Sequence, residues 1–315
     1  MGIKHSPAKV GLVCTFDLSC FEQSPMRHPE PNNLSSKMEN IMSFPTKIWR
    51  ALLPVILLSF AVTPAVANEP GTLQWYGQAA FKITTPGGKI IVIDPFITKN
   101  PKTPAELKDL AKLGKVDLIL VTHGHGDHLG DTGELARLTG AKVAVNADMG
   151  STMDVLGIVP AEQLIRFNKS GPIKPLEGIT VTMVHAEHSS SIVHNDPVTN
   201  AKSVHNGGEP AGYIIELENG FKLYHAGDTG IFSDMQLIGS YYKPDLALLP
   251  IGGHFTMDPA HAAYAARDLL KSSHVIPIHY GTFPPLKGTP EELQQALKGS
   301  SVKVTVMQPG DILKF

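Results

Sequence analysis

The chain has 315 residues, 42% of them hydrophobic and 18% charged, a balance that excludes wholesale disorder. Lys and Arg number 27 against 29 Asp and Glu, a formal charge of −2, so no strong field invites nucleic acid or an anionic membrane. Two Cys cannot build a disulfide framework.

Residues 1–37 are polar and irregular, and read as a disordered start-site extension ahead of translation from Met38 or Met42. Lys47 and Arg50 then precede the apolar run Ala51–Ala67, which closes on Ala65-Val66-Ala67. A basic flank, a short apolar stretch and an A-x-A ending predict a signal peptide over 38–67. The run has 17 residues and is broken by Pro54 and Pro64, against the about 20 that a membrane span needs. No Cys follows to carry a lipid. The expectation is a periplasmic or secreted protein without a stable membrane anchor, folded as one domain over 68–315. That segment holds 21 basic and 25 acidic residues, net −4, which disfavours a surface that tracks nucleic-acid phosphates. It has no Cys and is indifferent to redox surroundings. No feature sets an oligomeric state.

From Leu73 to Pro95 the text alternates as LQWY, AFKIT and KIIVID, predicting adjacent short strands with a turn at Pro86-Gly87-Gly88. A helix is expected over Pro104–Leu113, then a buried strand at Asp117–Val121 (DLILV), a helix at Asp131–Leu138 and a strand at Lys142–Val145. Ile179–Val184 and the pair Gly212–Leu217 and Phe221–His225, joined around Asn219-Gly220, restore the strand pattern. Asn195–Pro210 is polar and rich in Gly and Pro, and reads as a long surface loop able to close over a cleft. Leu246–Pro250 and His274–Ile278 are strands, Pro259–Leu270 and Pro290–Leu297 helices, and two strands close the chain at Phe315. This irregular alternation fits an α/β (α+β) chain with mixed sheets, not a simple parallel series.

The densest chemistry follows DLILV: Thr122-His123-Gly124-His125-Gly126-Asp127-His128. Three imidazoles and a carboxylate so close together suit a divalent cation such as zinc. Gly124 and Gly126 are expected to free the backbone to turn, so that neighbouring ligands converge. A merely solvated His-rich loop has no need of this spacing at a strand end. One loop cannot complete two sites, and three residues at other strand ends are candidates: His188 after ITVTMV, Asp228 after FKLYH and His279 after HVIPI.

This order, HxHxDH, then His, then GDT, then a late His, resembles the metallo-β-lactamase superfamily. Ile93-Asp94-Pro95-Phe96, HAGDTG, Leu249–Gly252 and Ile276–Tyr280 are similar to an uncharacterised branch of metal-dependent hydrolases near the ascorbate-6-phosphate lactonase-like proteins. The resemblance covers Leu73 to Phe315. It implies a four-layer αββα sandwich and two metals, zinc by default with manganese or iron open. It implies one metal on His123, His125 and His188, a second on Asp127, His128 and His279, and Asp228 bridging them. It prefers His188 to His185, because the ligand in that branch stands before Ser-Ser.

Paired cations lower the pKa of a shared water toward neutrality, and the expected reaction is hydrolysis of a small lactone, ester or phosphoester. Asp127 is proposed to take the water's proton as well as to ligate. Asp94 is expected to fix a ligating imidazole. With a carboxylate at 228 and no thiolate, the lactonase, thioesterase and phosphodiesterase branches fit better than β-lactam cleavage, and His125 in place of Glu disfavours the diiron oxidoreductases. His254 is a candidate substrate contact or acid, and Tyr280 a candidate oxyanion donor. His225 reads as a strand-end group. Gln78 stands where the branch commonly has His, which puts a substrate contact from that turn in doubt. The alternatives are a phosphodiesterase or phospholipase-like enzyme and a non-catalytic metal-binding protein of the same fold. The exported protein is predicted to begin at Asn68 by mass spectrometry, and a terminus far from that residue would overturn the signal-peptide reading.

Overall fold

Short strands, most of them buried on both faces, build the framework. The structure, a computed structural model, describes Gly2 and residues 69–315. The start-site extension, the signal peptide and both Cys therefore lie outside the described residues, among which no helix is long and apolar enough to cross a membrane.

Strands β1 (Thr72–Gly77), β2 (Ala80–Thr84) and β3 (Ile90–Ile93) form the predicted antiparallel meander, and β4 (Leu118–Leu120), β5 (Lys142–Asn146) and β6 (Leu164–Phe167) extend it in parallel. The second sheet begins with β7 (Ile173–Leu176) and β8 (Ile179–His185). A separate hairpin, β9 (Ser191–Asn195) and β10 (Lys202–Asn206), intervenes. The sheet then takes β11 (Ala211–Glu216), β12 (Lys222–His225), β13 (Leu246–Pro250), β14 (His274–Ile278) and β15 (Lys303–Val304), the last four parallel. The final strand, β16 (Ile312–Lys314), returns to pair with β1, so each sheet has seven strands.

Alternation decides which side chains fill which layer. Leu73, Phe81, Ile83, Ile91, Ile93, Leu118 and Leu120 meet Val181, Met183, Tyr213, Leu246, Leu248, Ile276 and Ile278 between the sheets. The opposite faces carry the helices. On the first sheet, α1 (Gly126–Leu129), α2 (Thr132–Thr139) and α3 (Ala147–Val155) cover Val92, Ile119, Val143 and Val145. On the second, α4 (Met235–Leu237), α5 (Pro259–Tyr264) and α6 (Pro290–Ala296) cover Ala247, Leu249 and Val275. The fold is thus the expected αββα sandwich. Thr289 and Glu292 cap α6 reciprocally, with Pro290 at its first position.

Three expected elements differ. Pro104–Leu113 is two short tight turns, because Asp109 takes extended backbone and its carboxylate accepts from the Ala111 N–H at 3.0 Å, ending one turn and starting the next. Pro259–Leu270 leaves the α-helix after Tyr264 for wider turns, in which the Leu270 N–H reaches the Ala265 carbonyl. Asn195–Pro210 is not one loop, because Lys202–Asn206 within it forms the second arm of the β9–β10 hairpin. That arm, KSVHN, has a single apolar side chain, the exposed Val204, and buries none fully, so the period of two left no apolar trace.

Along one edge of the sandwich the two sheets are pinned by polar bonds. The Tyr213 hydroxyl donates to the Val121 carbonyl at 2.7 Å, His225 Nε2 donates to the Ala79 carbonyl at 2.9 Å, and the Ala211 and His279 N–H groups donate to Thr122 and Gln78 at 3.1 Å each. Tyr213 is fully buried, so Tyr213→Phe should strip a buried carbonyl of a donor and lower unfolding free energy by about 1–3 kcal/mol. Urea denaturation checks this, with the midpoint falling at unchanged slope.

Candidate metal centre

That pinned edge is where parallel strands of both sheets end, the side on which open α/β sheets present their sites. β4 runs out into Thr122 and His123, and the following turn, α1, raises Asp127 and His128 on consecutive positions. From the other sheet, β8 delivers His188, β12 delivers Asp228 and β14 delivers His279. Gly227, at φ +63°, passes so close to Thr122 that a Cβ there would lie 2.9 Å from the Thr122 Cβ. Only glycine lets Asp228 arrive by this route.

The structure brings all seven candidate donors into one cluster. His123, His125 and His188 place nitrogens within 4.8 Å of one another, as do Asp127, His128 and His279 with their own donors, and Asp228 reaches both groups. His123 Nε2 lies 2.9 Å from His125 Nδ1. Asp228 Oδ2 lies 3.5 Å from His188 Nε2 and 3.1 Å from His279 Nε2, and its Oδ1 lies 3.2 Å from His128 Nε2. Donors about 2.0–2.2 Å from a shared zinc stand roughly 3–4 Å apart, the range seen here.

Buried atoms without partners make the same point. His128 Nε2 and Asp228 Oδ1 face each other but make no hydrogen bond, and both are sealed from solvent. Unpartnered buried polar atoms are costly, and a cation between them would satisfy both, so the residues fit divalent metal. Their titration shows how tightly charge is packed. Burial pushes His123 well below its ordinary range, and the neighbouring His128 adds to it. Burial also opposes a charge on His279, but Asp228 and Asp127 outweigh it and raise His279 to about 9. Burial would raise Asp228, yet His128 and His279 hold it well below the carboxylate range.

The ring of supports is equally specific. Asp94 Oδ2 accepts from His128 Nδ1 at 2.7 Å, its Oδ1 accepts from the Thr122 N–H at 2.7 Å, and the Thr122 hydroxyl also donates to it. This bond leaves His128 Nε2 bare toward the cluster. Gln78, fully buried, donates from Nε2 to Asp127 Oδ2 at 2.8 Å and lies 2.6 Å from His279 Nε2. Gln78, Asp94 and His279 all hold left-handed backbone at φ 52°, 46° and 57°, a conformation costing about 1–3 kcal/mol at a non-glycine residue.

The expectations for the two glycines and for Tyr280 need correction, and the remaining histidines take separate places. Gly124 and Gly126 are not at left-handed φ. Gly124 is small because β9 packs on it, with Ile192 2.8 Å from where its Cβ would be, and nothing lies within 4 Å of Gly126. His185 stands apart, partly exposed between Lys169 and Glu187 at 3.3 Å each. Tyr280 turns away from the cluster. Its hydroxyl is 3.5 Å from the Met307 carbonyl and its ring packs on Trp75, so it cannot serve an oxyanion there. His254 is exposed at the rim, edge-on to Phe255, with ring centroids 4.4 Å apart. His225 is the buried pin described above, its Nδ1 accepting from the Gly227 N–H. Thr122 and Gln78 have no signal in a single sequence beyond their places beside the motif and in the β1–β2 turn.

Comparison with known proteins agrees with this geometry. The model of the β-lactamase superfamily domain matches residues 89–280. A UPF0173 metal-dependent hydrolase of Polaromonas sp. is 57% identical over 272 residues, covering 84% of this chain and 100% of that protein. Igni18, a novel metallo hydrolase from the archaeon Ignicoccus hospitalis, is 38% identical with a TM-score of 0.66, over 78% of this chain and 98% of its own. YhfI of Bacillus subtilis, a metallo-β-lactamase fold protein, shares the fold at 14% identity and TM-score 0.58, over 78% and 100% of the two chains. Asp94→Asn should weaken zinc affinity about 10–100-fold while circular dichroism stays unchanged. Unaltered zinc affinity in a competition titration would remove Asp94 from the support of His128.

Proposed function

Since the chain belongs to the UPF0173 metal-dependent hydrolase family of the β-lactamase superfamily, we propose that it hydrolyses a small lactone, ester or phosphoester with two divalent cations. The observation that carries this is the facing pair of buried, unpartnered donors, His128 Nε2 and Asp228 Oδ1, set among five further donors. One ion would be held by His123, His125 and His188, the other by Asp127, His128 and His279, with Asp228 touching both. Zinc suits the nitrogen-rich set, and manganese or iron would also accept nitrogen and oxygen donors without sulfur.

Bound there, the cations would lower the pKa of water toward neutrality and polarise the oxygen of the scissile group. The chain's own residues supply the rest. Asp94 holds His128 in the tautomer that presents Nε2. Gln78 fixes one oxygen of Asp127. The Asp127 side chain is 25% exposed, and its other oxygen takes the proton of the attacking water and returns it to the leaving group. Asp228, buried and ionised, keeps negative charge between the two imidazole groups. The substrate is a small molecule, not nucleic acid, and the mature protein acts in the periplasm or outside the cell.

Metal analysis of purified protein should give about two equivalents per chain, and a chelator should lower Tm, because binding to the folded state alone stabilises it. Less than one tightly held ion per chain would sink the dinuclear reading. Asp228→Ala and His128→Ala should each cost more turnover than the about 10–100-fold expected for loss of an outer partner. Retained turnover in a panel of lactones, esters, thioesters and phosphodiesters would contradict these roles. A metal-loaded protein inert to the whole panel would favour the non-catalytic alternative.

A further inference from the structure

The loops that deliver the donors also deliver hydrocarbon. Phe96 lies two residues after Asp94, Phe283 four after His279, and Phe255 in the loop after β13. With Leu286 they face the donor cluster across one cavity of about 650 Å³, within the range of small-molecule sites. The Phe96 and Phe283 rings meet with centroids 6.4 Å apart, at 36°. Leu286 and Phe96 are buried, whereas Phe255 is 57% exposed and Phe283 38%, so two aromatic faces stand open to whatever enters. Among the described residues no Lys or Arg lines the cavity; Lys102 and Lys287 line neighbouring ones.

This lining selects by charge and by shape. An aromatic or branched group gains by leaving water against open rings, at about 25 cal/mol per Å² of apolar surface. A carboxylate or phosphate away from the scissile bond would find no guanidinium or ammonium partner and would lose hydration against hydrocarbon. The metal cluster can meet only the charge that develops at the reacting group.

We propose that the substrate is an uncharged carboxylic ester or lactone with an aryl or branched alkyl group beside the scissile bond and no anionic group elsewhere. This rests on the metal-dependent hydrolase reading above. The water oxygen bonds to the acyl carbon, the acyl C–O bond breaks, and the proton taken by Asp127 passes to the leaving oxygen. The products are an acid and an alcohol, joined in one molecule for a lactone, and no co-reactant but water is needed.

The test uses metal-loaded protein with methyl phenylacetate, methyl acetate, monomethyl succinate and phenyl phosphate. The aryl ester should exceed methyl acetate and monomethyl succinate in kcat/KM by about tenfold or more, the scale of discrimination an apolar pocket gives. Phe255→Ala and Phe283→Ala should each narrow the aryl-over-methyl ratio by about tenfold, with metal content unchanged. Calorimetry with 4-phenylbutan-2-one, a neutral ketone that cannot be hydrolysed, should show binding that weakens in the same two variants. Faster turnover of monomethyl succinate or phenyl phosphate than of the aryl ester, or variants with unchanged ratios, would overturn the proposal while leaving hydrolysis standing. Binding of the ketone through both Phe residues with no ester turned over would uphold the apolar preference and defeat hydrolysis.

Discussion

The site depends on two sheets being locked together at one edge by backbone and buried side-chain hydrogen bonds. The pins from Tyr213, His225, Ala211 and His279 each join a strand end of the second sheet to a strand end or turn of the first. Apolar packing between the sheets is non-directional and tolerates small slips. Hydrogen bonds near 3 Å do not. His279 is itself one of these pins, His123 directly follows the pinned Thr122, and Asp228 stands three residues after His225, so His123 and His128 from one sheet meet Asp228 and His279 from the other at fixed separations. Preorganisation of this kind is what a metal site on rigid elements needs.

At that same edge the chain departs from what stability alone would choose. Five histidines, three carboxylates with Asp94 among them, and the Gln78 amide are buried or half-buried together, several polar atoms lack partners, and three non-glycine residues hold left-handed backbone. Each departure costs free energy, and they coincide. In a sequence whose other local choices agree with its fold, such clustered conflict marks a functional site. Divalent cations would resolve most of it by giving the orphaned lone pairs a common partner.

Much of this was legible from residues alone, for identifiable reasons. A run such as HGHGDH is costly without metal wherever it sits, and short alternating strands bounded by turns announce mixed sheets. His188, Asp228 and His279 could be picked because each ends an apolar strand, and strand ends of parallel sheets gather at one edge. What a strand end cannot reveal is which way the next side chain turns. His279 and Tyr280 are neighbours, yet the left-handed backbone at His279 sends its imidazole to the cluster while Tyr280 packs against Trp75. The β9–β10 hairpin escaped because only Ile192 of its ten residues is buried, too few to print a period of two. Gln78 escaped because its role is made by Asp127 and His279, 49 and 201 residues away in sequence.

The same loops tie reactivity to recognition. Asp94 is fixed by Thr122 and in turn orients His128, and two residues later its loop presents Phe96, held in place by Asp131, whose carboxylate accepts from the Ile97 and Thr98 N–H groups at 2.8 Å. His279 is followed in the same way by Phe283. A change in one of these loops therefore moves a supporting or ligating group and an aromatic wall together. Such coupling favours divergence at the outer loop positions, Phe255 and Phe283, whose side chains are open. Relatives that keep the seven donors can then differ in the group they accept, because the walls of the cavity are free to change where the donors and their supports are not.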